Sequence, residues 1–205
     1  MDDIVRQALA KWPNVPACYG WLLLDRRGNW RMRDEAVQRE NGLGTPIRHA
    51  ALIAFIVRNY DVDAAGQWYF QNGPQRVYVE LASTPWVVRL MQAEDGTLDL
   101  IDQTGAAWEP TCCWLDEQGA VFFTGRAGGD GVRERIGVLH DHDLGLFADQ
   151  LDDDEASGGS PDPAGEQRFA WRKEIVLPVQ PIQAKELGAR FGFVASPEQQ
   201  QAASA

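Results

Sequence analysis

The sequence predicts an α+β protein: two tandem strand-turn-strand-helix-strand repeats forming antiparallel sheets with packed helices. Three observations predict it. Leu24-Asp25-x-x-Gly28 followed by His49 returns as Leu115-Asp116-x-x-Gly119 followed by His140, each pair 91 positions apart. At the same offset Asp61 falls on Asp152 and Asp63 on Asp154, while Ile47/Val138, Ile53/Leu144 and Phe55/Leu146 keep their apolar character. Turn signals rich in glycine separate short apolar runs through the middle of the chain, as hairpins require. A unit of this size cannot bury its own hydrophobic face, so two copies are expected to pack around a shared core. The aromatic strands at 68–70 and 169–171 fall out of the 91-residue register and need about ten extra residues in the second copy, which the acidic segment between them supplies.

Residues 1–16 are read as an N-terminal docking helix. Ile4, Val5, Ala8, Leu9 and Trp12 share a face, Asp2 and Asp3 favour its start, and Pro13 ends it. The first repeat covers 17–105. Residues 19–25 and 29–33 flank Arg26-Arg27-Gly28 as a hairpin, Gly28 accepting the positive φ of such turns. Thr45-Pro46 reads as an N-cap followed by proline at the first helical position, leading into a helix over 47–60. That helix is so apolar between 50 and 57 that it should be buried on most sides. Strands at 67–71 and 75–81 surround Asn72-Gly73-Pro74, where Pro74 predicts a loop longer than two residues. Strands at 86–91, 97–102, 111–115 and 120–124 then make an antiparallel meander.

The second repeat covers 106–195. It holds a helix over 138–151 weakened by Gly145, and one long strand from 169 to 177 broken by Pro178 and Pro181. A short helix over 184–190 follows. Residues 149–165, with Asp152-Asp153-Asp154-Glu155 and Ser157-Gly158-Gly159-Ser160-Pro161, are expected to be a mobile acidic loop. Residues 196–205 read as a disordered tail.

The 205 residues carry a formal charge of -11, a field of the wrong sign for nucleic acid or anionic lipid, so neither a nucleic-acid nor a membrane partner is expected. Among 19 basic residues only Lys11, Lys173 and Lys185 are lysines, which makes the cationic surface mainly guanidinium. Cys18, Cys112 and Cys113 are an odd number without a disulfide spacing and suit a reducing compartment. The start Met1-Asp2-Asp3 lacks the charge and apolar run of a signal peptide, so the expectation is cytoplasmic.

Several constellations offer chemistry. His140 and His142 alternate, so on an extended strand both imidazoles would share a face and could ligate a metal such as Zn²⁺; no third ligand stands at a recognised spacing. Equally, Asp141 or Asp143 would cap a helix while the imidazoles satisfy backbone groups, and His49 at the matching repeat position favours that structural role. The glycine-rich segment 125–131 resembles a phosphate cradle but lacks the Lys-Ser/Thr ending of a P-loop. Arg31 and Arg33, with Arg26 and Arg27, lie beside Trp21 and Trp30 and could hold an anion or a flat ring by forked hydrogen bonds and stacking. Cys112-Cys113 has neither a redox spacing nor a basic sequence neighbour to activate a thiol. Asp102, Glu109 and Asp116 supply carboxylates near turns but no pair that spacing singles out as acid and base.

The segment comprising Gly28-Asn29-Trp30, Thr45-Pro46-Ile47-Arg48, residues 52–60, Trp68-Tyr69-Phe70, residues 77–81 and Thr84-Pro85-Trp86-Val87 resembles an uncharacterised bacterial domain-of-unknown-function family. The resemblance spans residues 17–105. It implies a repeated α+β fold and a part in signal transduction, and it carries no catalytic residue to transfer; Cys112-Cys113 and the acidic insertion depart from the pattern. The sequence is therefore read as a non-catalytic cytoplasmic binding or regulatory module, without a cofactor. Its partner would be a small molecule or a protein met through Trp21, Trp30, Arg31 and Arg33. A metal-dependent enzyme using His140 and His142, or an oligomerisation domain that forms a homodimer, is the alternative.

Overall fold

A computed structural model describes residues 1–127, 134–152, 167–172 and 175–204. The protein is α+β, with two mixed sheets and short helices. It divides into two compact units, Met1–Pro85 together with Gly192–Ala205, and Trp86–Phe191. The division falls after Pro85 rather than near 105, because the strand beginning at Trp86 pairs with residues of the second unit.

In the first unit, helix α1 (Asp3–Lys11) buries Val5 fully but leaves Ile4 and Trp12, expected on its inward face, at 72% and 51% exposure. Strands β1 (Cys18–Leu24) and β2 (Trp30–Met32) form the expected antiparallel hairpin, with Leu24 opposite Trp30. Helix α2 (Glu35–Arg39), absent from the sequence reading, follows because Asp34 caps it, its carboxylate accepting the Val37 N–H at 2.9 Å. Thr45–Pro46 is not a helix start but strand β3, paired with β2. The Ile47 N–H donates to the Trp30 carbonyl at 2.8 Å and keeps the chain extended until His49 caps helix α3 (Ala50–Arg58). Only Ile56 of α3 is fully buried and Ala50, Ala51 and Ala54 are exposed, so the helix packs by one face rather than all round.

Strands β4 (Tyr60–Val62), β5 (Trp68–Asn72) and β6 (Gln75–Leu81) complete a sheet of order β3-β2-β1-β6-β5-β4. Its pairs are antiparallel except β1 and β6, which run parallel and correct the expectation of an antiparallel sheet. Asn72 pairs with Gln75 across a two-residue turn. Gly73, at φ +55°, takes the first central position and Pro74 the second, so the loop is the two-residue type rather than the longer one expected. The interior holds Leu22, Leu24, Trp30, Ile56, Phe70 and Val79, with Trp30 edge-on to Tyr60 at 5.1 Å and Phe55 edge-on to Phe70 at 5.3 Å. Residues 192–204 close this unit: Leu81 N–H donates to Ala195 O at 2.8 Å, Val194 N–H to Gly66 O at 2.9 Å, and helix α6 (Pro197–Ser204) follows where a disordered tail was expected.

The second unit carries β7 (Trp86–Gln92), β8 (Leu98–Asp102), β9 (Trp108–Asp116), β10 (Val121–Ala127) and β11 (Arg135–Leu139). After a 3-10 turn at Asp141–Asp143 come helix α4 (Leu144–Ala148), β12 (Leu151–Asp152), β13 (Arg168–Arg172) and β14 (Ile175–Ile182). A 3-10 turn at Ala184–Glu186 and helix α5 (Leu187–Phe191) end it. Its sheet order is β12-β13-β14-β9-β10-β11-β7-β8. The expected meander is thus interrupted: β7 runs parallel to β11, and β14 parallel to β9. The expected strand at 169–177 is two strands, and Pro178 and Pro181 lie within β14. Pro178 ends the β13 ladder, and the Val179 N–H points away from β9 to donate to Gln167 O at 2.9 Å; two residues on, the Pro181 nitrogen lies on that same side, so the β9 ladder needs no donor from it. The core is a run of rings, Phe123 with Phe147 at 5.9 Å and Phe169 with Phe147 at 4.9 Å and with Trp171 at 6.4 Å. Gly125 leaves room for the buried Trp108 indole, which an added Cβ would meet at 2.3 Å. The rest of the glycine loop beyond 127, and residues 153–166 of the acidic segment, lie outside the described residues.

One turn recurs in both units. Asp25, Asp63, Asp102 and Asp116 each accept, through one carboxylate oxygen, the backbone N–H groups two and four residues on. Each is followed at the third position by a glycine at φ between +80° and +84°. The identities Asp25/Asp116 and Gly28/Gly119 therefore follow from hairpin chemistry, which Asp63 and Asp102 meet at unrelated spacings.

Candidate functional site

The residues singled out in the sequence separate. Trp30 is in the core at 2% exposure, while Trp21 lies on the surface at 42%. Arg31 donates through Nε to Asp25 Oδ2 at 2.6 Å and through Nη1 to Gly44 O at 2.8 Å. Burial alone would raise the Asp25 carboxyl, but Arg31, the Asn29 N–H and side-chain amide, and the Arg27 N–H hold it below the usual carboxylate range. Arg33, 2% exposed, donates to Gly42 O at 3.0 Å and Asn41 Oδ1 at 3.3 Å. The two arginines thus fasten the 41–44 loop, whose Gly44 stands at φ +79° against the Met32 carbonyl.

His140 and His142 lie around the 3-10 turn rather than on one strand face. The His140 Nδ1 accepts the His142 N–H at 3.1 Å, and its ring meets the exposed His142 ring edge-on at 4.8 Å. Burial, and then the Arg89 charge, lower the His140 pKa, outweighing Asp141, whose Oδ1 is 3.0 Å from the same Nδ1. The neutral ring is the form in which Nδ1 accepts. His49 caps α3 in the same way, accepting the Leu52 N–H at 3.2 Å. Asp143 is committed elsewhere: its two oxygens take Arg89 at 2.6 and 2.9 Å, and one also takes the Leu90 N–H at 3.0 Å. Among the described residues no group of three His, Cys, Asp or Glu side chains stands close enough to hold a metal.

A polar cluster lies in the first unit, where α2 and α6 flank β1. Gly20 in β1 has φ +78°, and a Cβ there would lie 2.8 Å from the Glu198 carboxylate and 2.9 Å from Gln38 Oε1. Glu198 Oε2 is 3.6 Å from the Arg33 guanidinium. Beneath it Glu80 of β6, 6% exposed, accepts the Glu198 N–H at 3.0 Å. Burial raises the Glu80 carboxyl, against the Ser196 hydroxyl and Glu198 N–H that favour its charge; Glu198 adds to the rise and Arg33 opposes it. Beside this cluster opens a hollow of about 410 Å³ lined by Glu35, Gln38, Arg39 and Glu198. Two carboxylates, a guanidinium and an amide around one opening suit charge-assisted hydrogen bonding of a polar ligand.

Of these residues the sequence reading found only Arg33. The signals for the others were present: Asp34 before Glu35 marks the α2 start, and Ser196-Pro197 followed by Gln199 is a helix start of N-cap, proline and capping partner.

The family model DUF2944, described as protein of unknown function (DUF2946), matches residues 1–198. The chain belongs to that family. It is the uncharacterised kind of family that the pattern from Gly28 to Val87 resembles. Two solved structures are similar to this DUF2944 chain, both of DUF1285 family proteins. The one from Silicibacter pomeroyi DSS-3 has 15% identity and a TM-score of 0.48, covering 91% of this chain and 98% of its own. The one from Shewanella baltica OS155 has 13% identity and a TM-score of 0.40, covering 63% of this chain and 91% of its own. No curated protein matches. Among the described residues no helix is long and apolar enough to cross a membrane.

Proposed function

We propose that the chain is a non-catalytic, cytoplasmic binding or regulatory module whose working surface is the polar hollow between α2 and α6. The observation that carries this reading is the hollow itself, where Glu35, Gln38, Arg39 and Glu198 surround one opening and Glu198 reaches from it to the buried Arg33 guanidinium. Arg39 is the cation of that lining, and a planar guanidinium beside an amide suits a ligand carboxylate. A part in signalling, implied by the resemblance, is the setting such a module would serve. Its reducing compartment is supported by three free cysteines.

The reading draws further support from a duplication, which we infer. Strands β1 to β6 correspond to β9 to β14. In each set the first two make a hairpin, the first and last are parallel neighbours, and Leu24 opposite Trp30 matches Leu115 opposite Val121. A residue needed by the fold recurs, as the capping His49 and His140 do. Along the matched strands Gly20, Arg33 and Glu80 are replaced by Thr111, Thr124 and Gln180. The second unit keeps its sheet without that cluster, which marks the cluster as a specialisation of the first.

Titration of the labelled protein with L-glutamate, followed by amide chemical shifts, tests the site. Saturable shifts confined to α2 and the first turn of α6, and lost in Arg39→Ala, are expected. Shifts absent at millimolar ligand, or unaltered in that variant, would overturn the assignment.

A further inference from the structure

We propose that α6 is a detachable strap and that Glu198 is a built-in occupant of a niche made by Gly20, Arg33 and Glu80, which on its release takes a glutamate-bearing segment of a partner protein. The proposal rests on the hollow being a binding surface and names its partner chemistry and its regulation.

The niche is shaped before it is filled. Arg33 is held by the Gly42 carbonyl and the Asn41 side chain, neither of which belongs to α6, so its guanidinium keeps its place when the helix leaves. Gly20 supplies the space: a side chain there would displace the Glu198 carboxylate and the Gln38 amide from their places, and its φ of +78° favours glycine. Glu80 presents an acceptor to one backbone N–H. Glu198 therefore satisfies two demands at once, a carboxylate for Arg33 and an N–H for Glu80, and a glutamate residue within any peptide carries both.

The strap is held weakly enough to leave. Pro197 is the single buried residue of 197–203, and Gln199 to Ala203 are exposed. Besides the two Glu198 contacts, the described attachments of α6 include the Ser196 hydroxyl at the Glu80 carboxylate and Gln67 Nε2 donating to the exposed Gln200 Oε1 at 3.0 Å, while Ser196 Oγ accepting the Gln199 N–H at 3.3 Å is a cap within the segment itself. Polar contacts at the surface each stabilise little. Releasing α6 leaves a buried guanidinium unmatched, which is the driving force for an external carboxylate to replace Glu198.

The test uses the full chain and its Glu198→Ala variant, whose unfolding free energy is measured alongside because the change takes the carboxylate from the buried Arg33 guanidinium. Hydrogen exchange of the α6 amides is expected to quicken by roughly tenfold in the variant while β1 and β6 amides keep their rates. An N-acetylated peptide with the sequence of residues 196–204 should bind the variant roughly tenfold more tightly than the natural chain, since the competing occupant is weakened. The same peptide with glutamine in place of glutamate should not bind. Exchange of α6 only at the rate of β1 and β6 in both proteins, or equal binding of both peptides, overturns the proposal. Exchange is read without any ligand, so failure of the strap is distinguishable from failure of L-glutamate to bind the hollow.

Discussion

His140 shows how far one side chain can be read. The matching position of His49 pointed to a structural imidazole, and both rings accept an N–H at the start of a helical turn. Replacing His140 by alanine should cost about 1 kcal/mol, and by asparagine much less, in chemical denaturation. Its lowered pKa means the unfolded chain binds the proton more readily than the native one. Stability from this residue is therefore complete above pH 6.5, the ordinary imidazole value, and is lost as pH falls through the depressed native value. In His140→Asn that segment of the stability profile should flatten, and an unchanged slope would contradict the neutral cap. Asp143 was read as a helix cap, yet its carboxylate faces β7; Asp143→Ala should cost about 2 kcal/mol by unpairing Arg89 and the Leu90 N–H. Arg31 and Arg33 were found by composition, but no local pattern reveals that one fastens a loop while the other also reaches a helix far along the chain.

Turns were the elements best read from sequence, because an aspartate and a glycine at fixed spacing determine their backbone directly. Two glycine variants separate the causes. Gly119→Ala places a methyl in open space at φ +80°, so its cost should be the conformational one alone, about 1 kcal/mol. Gly44→Ala adds a methyl 2.2 Å from the Met32 carbonyl at a similar φ, and its melting temperature should fall well below that of Gly119→Ala. Equal losses would mean that the 41–44 loop relaxes freely. Helices were read less well. Thr45-Pro46 has the composition of a helix start and pairs as a strand because β2 offers it a ladder, while Ser196-Pro197 has the same composition and does start a helix. Local sequence does not separate the two; tertiary partners do. The parallel pairs β1 with β6, β7 with β11 and β9 with β14 were invisible for a related reason, since alternation along a strand carries no record of its neighbour's direction.

Across the whole chain the three cysteines give a count that checks both units. Cys113 is fully buried on β9, Cys18 and Cys112 are half-buried, and burial pushes all three thiols up. A thiol reagent at neutral pH should label at most Cys18 and Cys112, slowly, and reach Cys113 only after unfolding. Early labelling of Cys113 would contradict the packing of β9. The α+β class was legible because it depends on composition and turns; the division into units was not, because one of them is assembled from both ends of the sequence. Residues 192–204 belong with residues 1–85. On the ribosome, the half begun first is thus finished last. Arg33 and Glu80 are made before any of 86–191, a lead over Glu198 of roughly ten seconds at ordinary elongation rates. For that interval the niche proposed for Glu198 lacks its own occupant, open to whatever attends the chain's birth.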